Sequence, residues 1–228
     1  MIRGRLGTLL PFAVALAAAI FLLGMVPQRI PEQTGPGLEG APTPLAQRIE
    51  LKGVQNFAQV TPTLYRGGQP TEEGYVQLKE LGIEIVVSLR GTHNEETLAE
   101  PGRVEVLGMS YVRIPWKPEH PPDHEQVATF LALVRDNPDK MIYVHCRTGK
   151  DRTAVMTAAY RIAMQKWTPE QALKEMEAFG FDGKPSLLNF SRRSRRQERT
   201  EYIRTFVEEL ASNPSFGSLN GSAGASQP

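Results

Sequence analysis

The sequence has one cysteine in 228 residues, Cys146. A disulfide within the chain is therefore impossible, and a cysteine-rich metal site is excluded as well. No group of histidines and carboxylates has metal-ligand spacing, so no metal is expected. The formal net charge is only +1, and nothing in the overall balance points to nucleic acid. No internal repeat is present. Charge is also missing locally: Leu6 to Val26 is a run of 21 residues without an ionisable side chain. At about 1.5 Å per residue it is long enough for the roughly 30 Å hydrocarbon core of a bilayer. No cysteine ends this run, which excludes a lipoprotein anchor, and no clear small-residue cleavage site closes it. Residues 1–26 are therefore expected to be an N-terminal membrane anchor or signal sequence, with the anchor preferred. Arg3 and Arg5 precede the run and would stay cytoplasmic. The expectation is a single-pass membrane protein with its domain on the periplasmic or extracytoplasmic side.

The remainder divides by composition. Residues 27–45 are rich in proline and glycine and read as an extended linker. Residues 212–228, rich in Gly, Ser and Asn, read as a disordered tail. Between them, residues 46–211 carry the apolar content of one domain; 40% of the whole chain is apolar. A short strand ends at Leu64-Tyr65, and Thr71 to Leu81 reads as a helix. Ile83 to Leu89 is a β-branched run of the buried-strand type. A weaker helix is expected over 95–107, disturbed by Pro101-Gly102. Tyr111 to Ile114 reads as a strand, and Asp123 caps a helix from His124 to Arg135 with Gln126 at its third position. Met141 to Val144 is a further buried strand, followed by a helix from near Arg152 to Gln165. Thr168-Pro169-Glu170-Gln171 carries a cap, a first-turn proline and a third-position glutamine. A last helix covers about 196–210. Strands alternating with helices predict an α/β fold with a central, mainly parallel sheet flanked by helices.

The chemistry concentrates in His145-Cys146-Arg147-Thr148-Gly149-Lys150-Asp151-Arg152-Thr153. A strand, a tight loop and a helix start make an anion site: successive backbone N–H groups form a nest, and the helix N-terminus adds positive potential. Gly149 permits close backbone approach to a phosphate. The same field, with Arg147, Lys150 and Arg152 nearby, favours thiolate at Cys146, and thiolate is the nucleophile. The planar fork of Arg152 suits two phosphate oxygens. The Thr153 hydroxyl can donate to the sulfur, and His145 reads as an orienter of the loop.

The H-C-x5-R-T pattern resembles the signature loop of the protein tyrosine phosphatase superfamily, in its dual-specificity branch. The likeness extends over most of residues 54–211. Asn56-Phe57 to Val60 with Leu64-Tyr65-Arg66-Gly67-Gly68-Gln69-Pro70 is similar to the opening of bacterial and fungal atypical dual-specificity phosphatases. The resemblance implies a dual-specificity-phosphatase-like fold and hydrolysis of phosphate monoesters through a cysteinyl-phosphate. It implies neither metal nor organic cofactor. The substrate would be phosphotyrosine, or phosphoserine and phosphothreonine, in proteins. Gly149-Lys150-Asp151-Arg152-Thr153 is also similar to members active on phosphoinositides, which leaves a phosphoinositide or inositol phosphate as the alternative. Cys146 and Arg152 are the expected catalytic residues. His145, Arg147, Thr148, Gly149, Lys150 and Thr153 are expected to bind the phosphate.

The general acid is less defined. Asp123 and Glu119 lie 23 and 27 positions before Cys146, closer than the family spacing. Asp123 also reads as a helix cap. Similar atypical members use an aspartate at the position of Asp151, so the order is Asp151, Asp123, Glu119. Ser191 to Arg199 holds five arginines and reads first as a solvated helix start, second as an anionic-lipid contact. His93 and Arg66 are candidates for the pocket rim.

Overall fold

The computed structural model describes residues 43–117, 119–181 and 190–220; the side chains of 190–194, 218 and 220 are excepted. Six strands form one sheet in the order β1-β2-β3-β6-β4-β5. They are β1 (Gln47–Arg48), β2 (Ala58–Gln59), β3 (Leu64–Gly67), β4 (Ile85–Arg90), β5 (Ser110–Trp116) and β6 (Ile142–His145). The last four positions, β3-β6-β4-β5, pair in parallel, whereas β1 and β2 run antiparallel to their neighbours. The sheet is thus mixed rather than simply parallel. Two-residue strands are too short to show a period of two, so sequence patterning did not reveal them.

Strand alternation sorts the core onto two faces. Ile85, Val87 and Leu89 of β4, with Ile142 and Val144 of β6, join one cluster; Val86 and Tyr143 join the other. The first cluster is covered by α3 (His124–Asp136), α4 (Arg152–Gln165), α5 (Pro169–Ala178) and α6 (Phe190–Ser212). The second is covered by α1 (Glu72–Glu80) and α2 (Glu95–Val106). Both faces of β4 and β6 are buried, as a parallel sheet inside two helical layers requires. Helix α4 is buried on all sides from Arg152 to Ala163, and its alanines let it pack closely beneath the sheet's carboxyl edge.

Pro101 and Gly102 do not break α2. Its start is fixed by a reciprocal capping box: Asn94 Oδ1 accepts from Thr97 N at 3.1 Å, and Thr97 Oγ1 accepts from Asn94 N at 3.0 Å. The final helix begins at Phe190, earlier than the expected 196. The segment expected as a disordered tail opens with a 3-10 turn, Pro214–Phe216, and a short helix, Gly217–Asn220. Phe216 is fully buried, with edge contacts to Phe206 and His124. Burying one such ring outweighs the polar composition around it, at about 1.5–3 kcal/mol.

Among the described residues no helix is long and apolar enough to cross a membrane. The expected anchor, Leu6 to Val26, lies outside them, as does the Pro/Gly-rich linker up to residue 42. The single-pass localisation is accordingly corrected: no membrane-spanning element is found among the described residues to carry it.

Candidate active site

The carboxyl ends of β3, β4, β5 and β6 converge on one edge of the sheet, where open α/β sheets bind their ligands. β6 delivers His145 there and runs directly into Cys146; α4 starts at Arg152. The thiol is 2% exposed. Burial pushes its pKa up, but the Arg152 guanidinium, the Thr153 hydroxyl and the backbone amides of Thr153 and Thr148 outweigh it. The net result is a thiol below its ordinary value. The Thr153 hydroxyl lies near enough to the sulfur to lower its pKa, and it donates to the Gly67 carbonyl at 3.4 Å.

Arg152 is aimed by the sheet. Its Nη1 donates to the carbonyls of Leu89 and Trp116, each at 3.1 Å, at the ends of β4 and β5. The side chain is 8% exposed and lines the cleft above Cys146. Two backbone anchors fix one part of the fork and leave the rest to face the cleft.

The loop between them is shaped from behind. Gly149 has φ +71°, and a Cβ there would fall 2.6 Å from the Gly67 carbonyl carbon. Only glycine meets both conditions. A Cβ at Gly67 would in turn strike the Tyr143 hydroxyl at 2.4 Å. Gly67 is thus where β3 passes directly beneath the loop.

His145 faces away from the cleft. Its Nε2 lies 2.9 Å from Glu100 Oε1, and both side chains are fully buried. Glu100 also accepts from Gln69 Nε2 at 2.6 Å and from the hydroxyls of Tyr75 at 2.7 Å and Tyr111 at 3.1 Å. Burial alone would raise the Glu100 pKa, but His145, Tyr75 and Gln69 lower it to about 2. Glu100 ties α2 to the residue before the cysteine, and nothing in the sequence reading singled it out.

A cleft of about 370 Å³ opens over Cys146. Arg147, Thr148, Asp151 and Arg152 line it from the loop and helix start, and α6 adds Arg195, Arg196 and Arg199. Part of the 191–199 arginine tract is therefore cleft wall rather than solvated helix surface. Arg199 is 4% exposed, stands over the Trp116 ring with its guanidinium 5.6 Å from the centroid, and lies 3.8 Å from Asp151 Oδ1. Five arginines surround this cleft, and Asp151 is the one acid among its described lining residues. Arg147 and Arg152 also line a second, adjoining cleft of about 350 Å³ with Arg90, Thr92, Asn94 and Glu96.

The three acid candidates part company. Asp151 sits at the α4 N-cap position beside the cysteine loop, without capping the helix through its side chain. Asp123 stands exposed at the start of α3, its backbone N–H donating to Gln126 Oε1 at 2.9 Å. Glu119 is exposed on the preceding loop. Neither Asp123 nor Glu119 is among the described residues lining either cleft. Lys150 is exposed and packs its stem near Gly180 rather than into the cleft. His93 is exposed and outside both linings, although Thr92 and Asn94 beside it contribute. Arg66 is fully buried behind the loop and not at the rim. Among the described residues no group of three or more His, Cys, Asp or Glu side chains is placed to hold a metal ion.

Comparison with known proteins agrees with this geometry. The chain is 30% identical over 127 residues to the dual specificity protein phosphatase TpbA of Pseudomonas aeruginosa, covering 55% of each. It is 28% identical over 125 residues to the human phosphatidylglycerophosphatase and protein-tyrosine phosphatase 1, covering 52% of this chain and 61% of that one. The chain thus spans little more than half the length of these curated relatives. The crystal structure of P. aeruginosa TpbA superposes with a TM-score of 0.57 at 21% identity, covering 75% of this chain and 99% of that one. The fold is therefore that of dual-specificity phosphatases. A family model described as DSP-PTPase phosphatase fused to NAD+ kinase matches residues 48–193, and the chain belongs to that phosphatase family.

Proposed function

We propose that the protein hydrolyses phosphate monoesters by cysteine-dependent, two-step phosphoryl transfer. The observation that carries this is a single buried cysteine whose thiol is biased toward thiolate at the floor of an arginine-lined cleft. In the first step the Cys146 thiolate attacks phosphorus, the P–O bond to the leaving group breaks, and an acid protonates that oxygen. Arg152 holds two of the non-bridging oxygens, and the loop amides take the remaining charge. In the second step water attacks the cysteinyl-phosphate, releasing phosphate and regenerating thiolate. The Thr153 hydroxyl, which donates to the Gly67 carbonyl beside the sulfur, turns to the thiolate and stabilises it as leaving group. Asp151 is the acid we favour, because it alone of the three candidates shares the cleft with Cys146. No cofactor is required by these steps. We take the phosphatase unit to begin near residue 46, in keeping with the matched span.

For the substrate, phosphotyrosine and other phosphoresidues in proteins are the first reading, supported by the relative named as a dual specificity protein phosphatase. A phosphoinositide, or another phospholipid headgroup, is the second. It is favoured by Arg195, Arg196 and Arg199 in the cleft wall, more cationic charge than one phosphate uses, and by the human relative named for a phospholipid phosphatase activity. The test is a panel of phosphotyrosine peptide, phosphoserine peptide, phosphatidylinositol phosphate and phosphatidylglycerophosphate, assayed with wild type and Cys146→Ser. Turnover that disappears with Cys146→Ser is expected; turnover surviving it refutes the mechanism. Arg195→Gln/Arg196→Gln should depress only the lipid substrates if the second reading holds, and equal losses on all four refute it.

A further inference from the structure

The loop that receives the phosphate is held by a layer of residues that never reaches the cleft. Arg66 on β3 is fully buried, and its Nη2 donates to the Gly149 carbonyl at 2.6 Å. Its guanidinium also lies over the Phe179 ring, 4.3 Å from the centroid. Its Nε and Nη1 have no hydrogen-bond partner, an expensive arrangement for a buried cation. Asn56 donates to the same Gly149 carbonyl at 3.0 Å and to the Phe179 carbonyl at 3.0 Å. Two peptides earlier the pattern repeats: the Arg147 carbonyl accepts from Gln69 N at 3.2 Å and Gln55 Nε2 at 3.4 Å.

The N–H and C=O of a trans peptide point in opposite directions. With the Arg147 carbonyl held from behind, the next amide, Thr148 N–H, turns inward and reaches the Cys146 sulfur. The same rule applied to the Gly149 carbonyl turns the Lys150 amide toward the anion site. A flip of that peptide would aim a carbonyl oxygen at an incoming phosphate, an error that glycine's freedom at position 149 makes easy. We propose that Arg66, with Asn56, is a positioning residue of the phosphate-binding loop, pinning the Gly149 carbonyl outward so that the Lys150 amide is presented to the anion. The buried charge of Arg66 acts on Cys146 in the same sense. It adds to Arg152 and Arg199, with Arg147, Arg195 and Arg196 in the same cleft wall, while Tyr143, Asp151 and Glu175 are among the groups of opposite effect, His145, Lys150 and Arg48 lying on or behind the loop.

The inference rests on the reading of this loop as an anion site, and its test does not need turnover. Because Cys146 is the sole cysteine, alkylation by iodoacetamide reports on it alone, and inorganic phosphate or vanadate should protect it. In full-length protein, Arg66→Met is expected to raise the vanadate concentration needed for half-protection at least tenfold and to move the alkylation midpoint to higher pH. Arg66→Lys should recover part of both effects. Asn56→Gly removes the second donor and suits the left-handed backbone at that position, φ +56°; it should weaken protection about threefold without unfolding the protein. A folded Arg66→Met with wild-type protection and midpoint overturns the proposal. Should Arg66→Met fail to fold, unchanged protection in Asn56→Gly overturns it and weakened protection supports it. If wild type binds vanadate with these dependences yet hydrolyses no monoester, the phosphatase reading fails and the loop assignment stands.

Discussion

Replacing Glu100 with glutamine should destabilise the protein by about 3 kcal/mol at neutral pH, although the change is isosteric and Glu100 does not line the cleft. The carboxylate receives contacts from Tyr75, Gln69, Tyr111 and His145, and its pKa falls from an ordinary 4.5 to about 2. At about 1.4 kcal/mol per pH unit, that difference is about 3 kcal/mol of folding free energy linked to ionisation. The side chain is fully buried, so solvent screening does not reduce it. A glutamine amide would set a donor against groups that already donate, leaving buried polar atoms unpaired. The pKa is lowered in the folded state, so the stabilisation is complete above about pH 4.5 and is lost as the pH falls toward 2. Urea denaturation followed by tryptophan fluorescence provides the assay, since Trp116 and Trp167 are both buried. With a slope of about 2 kcal/mol per molar urea, Glu100→Gln should lower the midpoint by about 1.5 M at pH 7. The gap between the two proteins should narrow as the pH approaches 3. A midpoint within 0.2 M of wild type, taking ~0.4 kcal/mol as the resolution of such a slope, would refute the linkage and with it the role of Glu100 as the anchor of His145.

The other expectations concern the acid and the loop. Asp151→Asn should slow hydrolysis of phenyl phosphate by roughly 10²-fold or more and affect the activated p-nitrophenyl ester much less, because only the poor leaving group needs the proton. Asp123→Ala should instead leave both rates near wild type while costing about 1 kcal/mol of stability through loss of the α3 cap; the reverse pattern would transfer the role to Asp123. Gly149→Ala should cost roughly 2–4 kcal/mol, from a strained left-handed backbone together with the clash against Gly67, and should abolish phosphate protection of Cys146. Gly102→Ala, in the interior of α2 with open space around its Cα, should stabilise by about 0.5–1 kcal/mol. Thermal or urea midpoints of the two glycine-to-alanine variants check this pair directly.

The elements that sequence reading located best are those whose signals are local. β6, the glycine-bearing loop and the start of α4 lie within about a dozen residues, and each is announced by its own composition: a β-branched run, a glycine, then helix formers. The dual-specificity-type fold and the cysteine site followed from that stretch. What stayed hidden depends on distant packing. β1 and β2 are two residues each and exist because β3 offers an edge to β2, and β2 in turn to β1. Phe216 is one aromatic in a polar stretch, buried because α6 and His124 leave space for it.

The arginines of α6 differ from the expectation for another reason: the sequence reading placed them first on a solvated helix start. Yet Arg199, Ile203 and Phe206 fall at helical spacing and are all buried, so the periodicity that identifies a core face already included an arginine. In α2 the buried positions Thr97, Glu100 and Val104 follow the same rule. An ionised group placed on a core stripe costs several kcal/mol unless something opposite compensates it, and a chain that keeps it there has a partner for it. Arg66, Arg90, Glu100, His145, Arg152 and Arg199 are each at most 8% exposed, and each touches the cysteine loop, lines its clefts, or contacts a residue that does. Most buried charged residues therefore mark the layer that positions the cleft, the Arg161–Glu175 pair joining α4 to α5 being an exception. For Glu100 and Arg199 that signal was present in this sequence without the structure, in the period of their helices rather than in any motif.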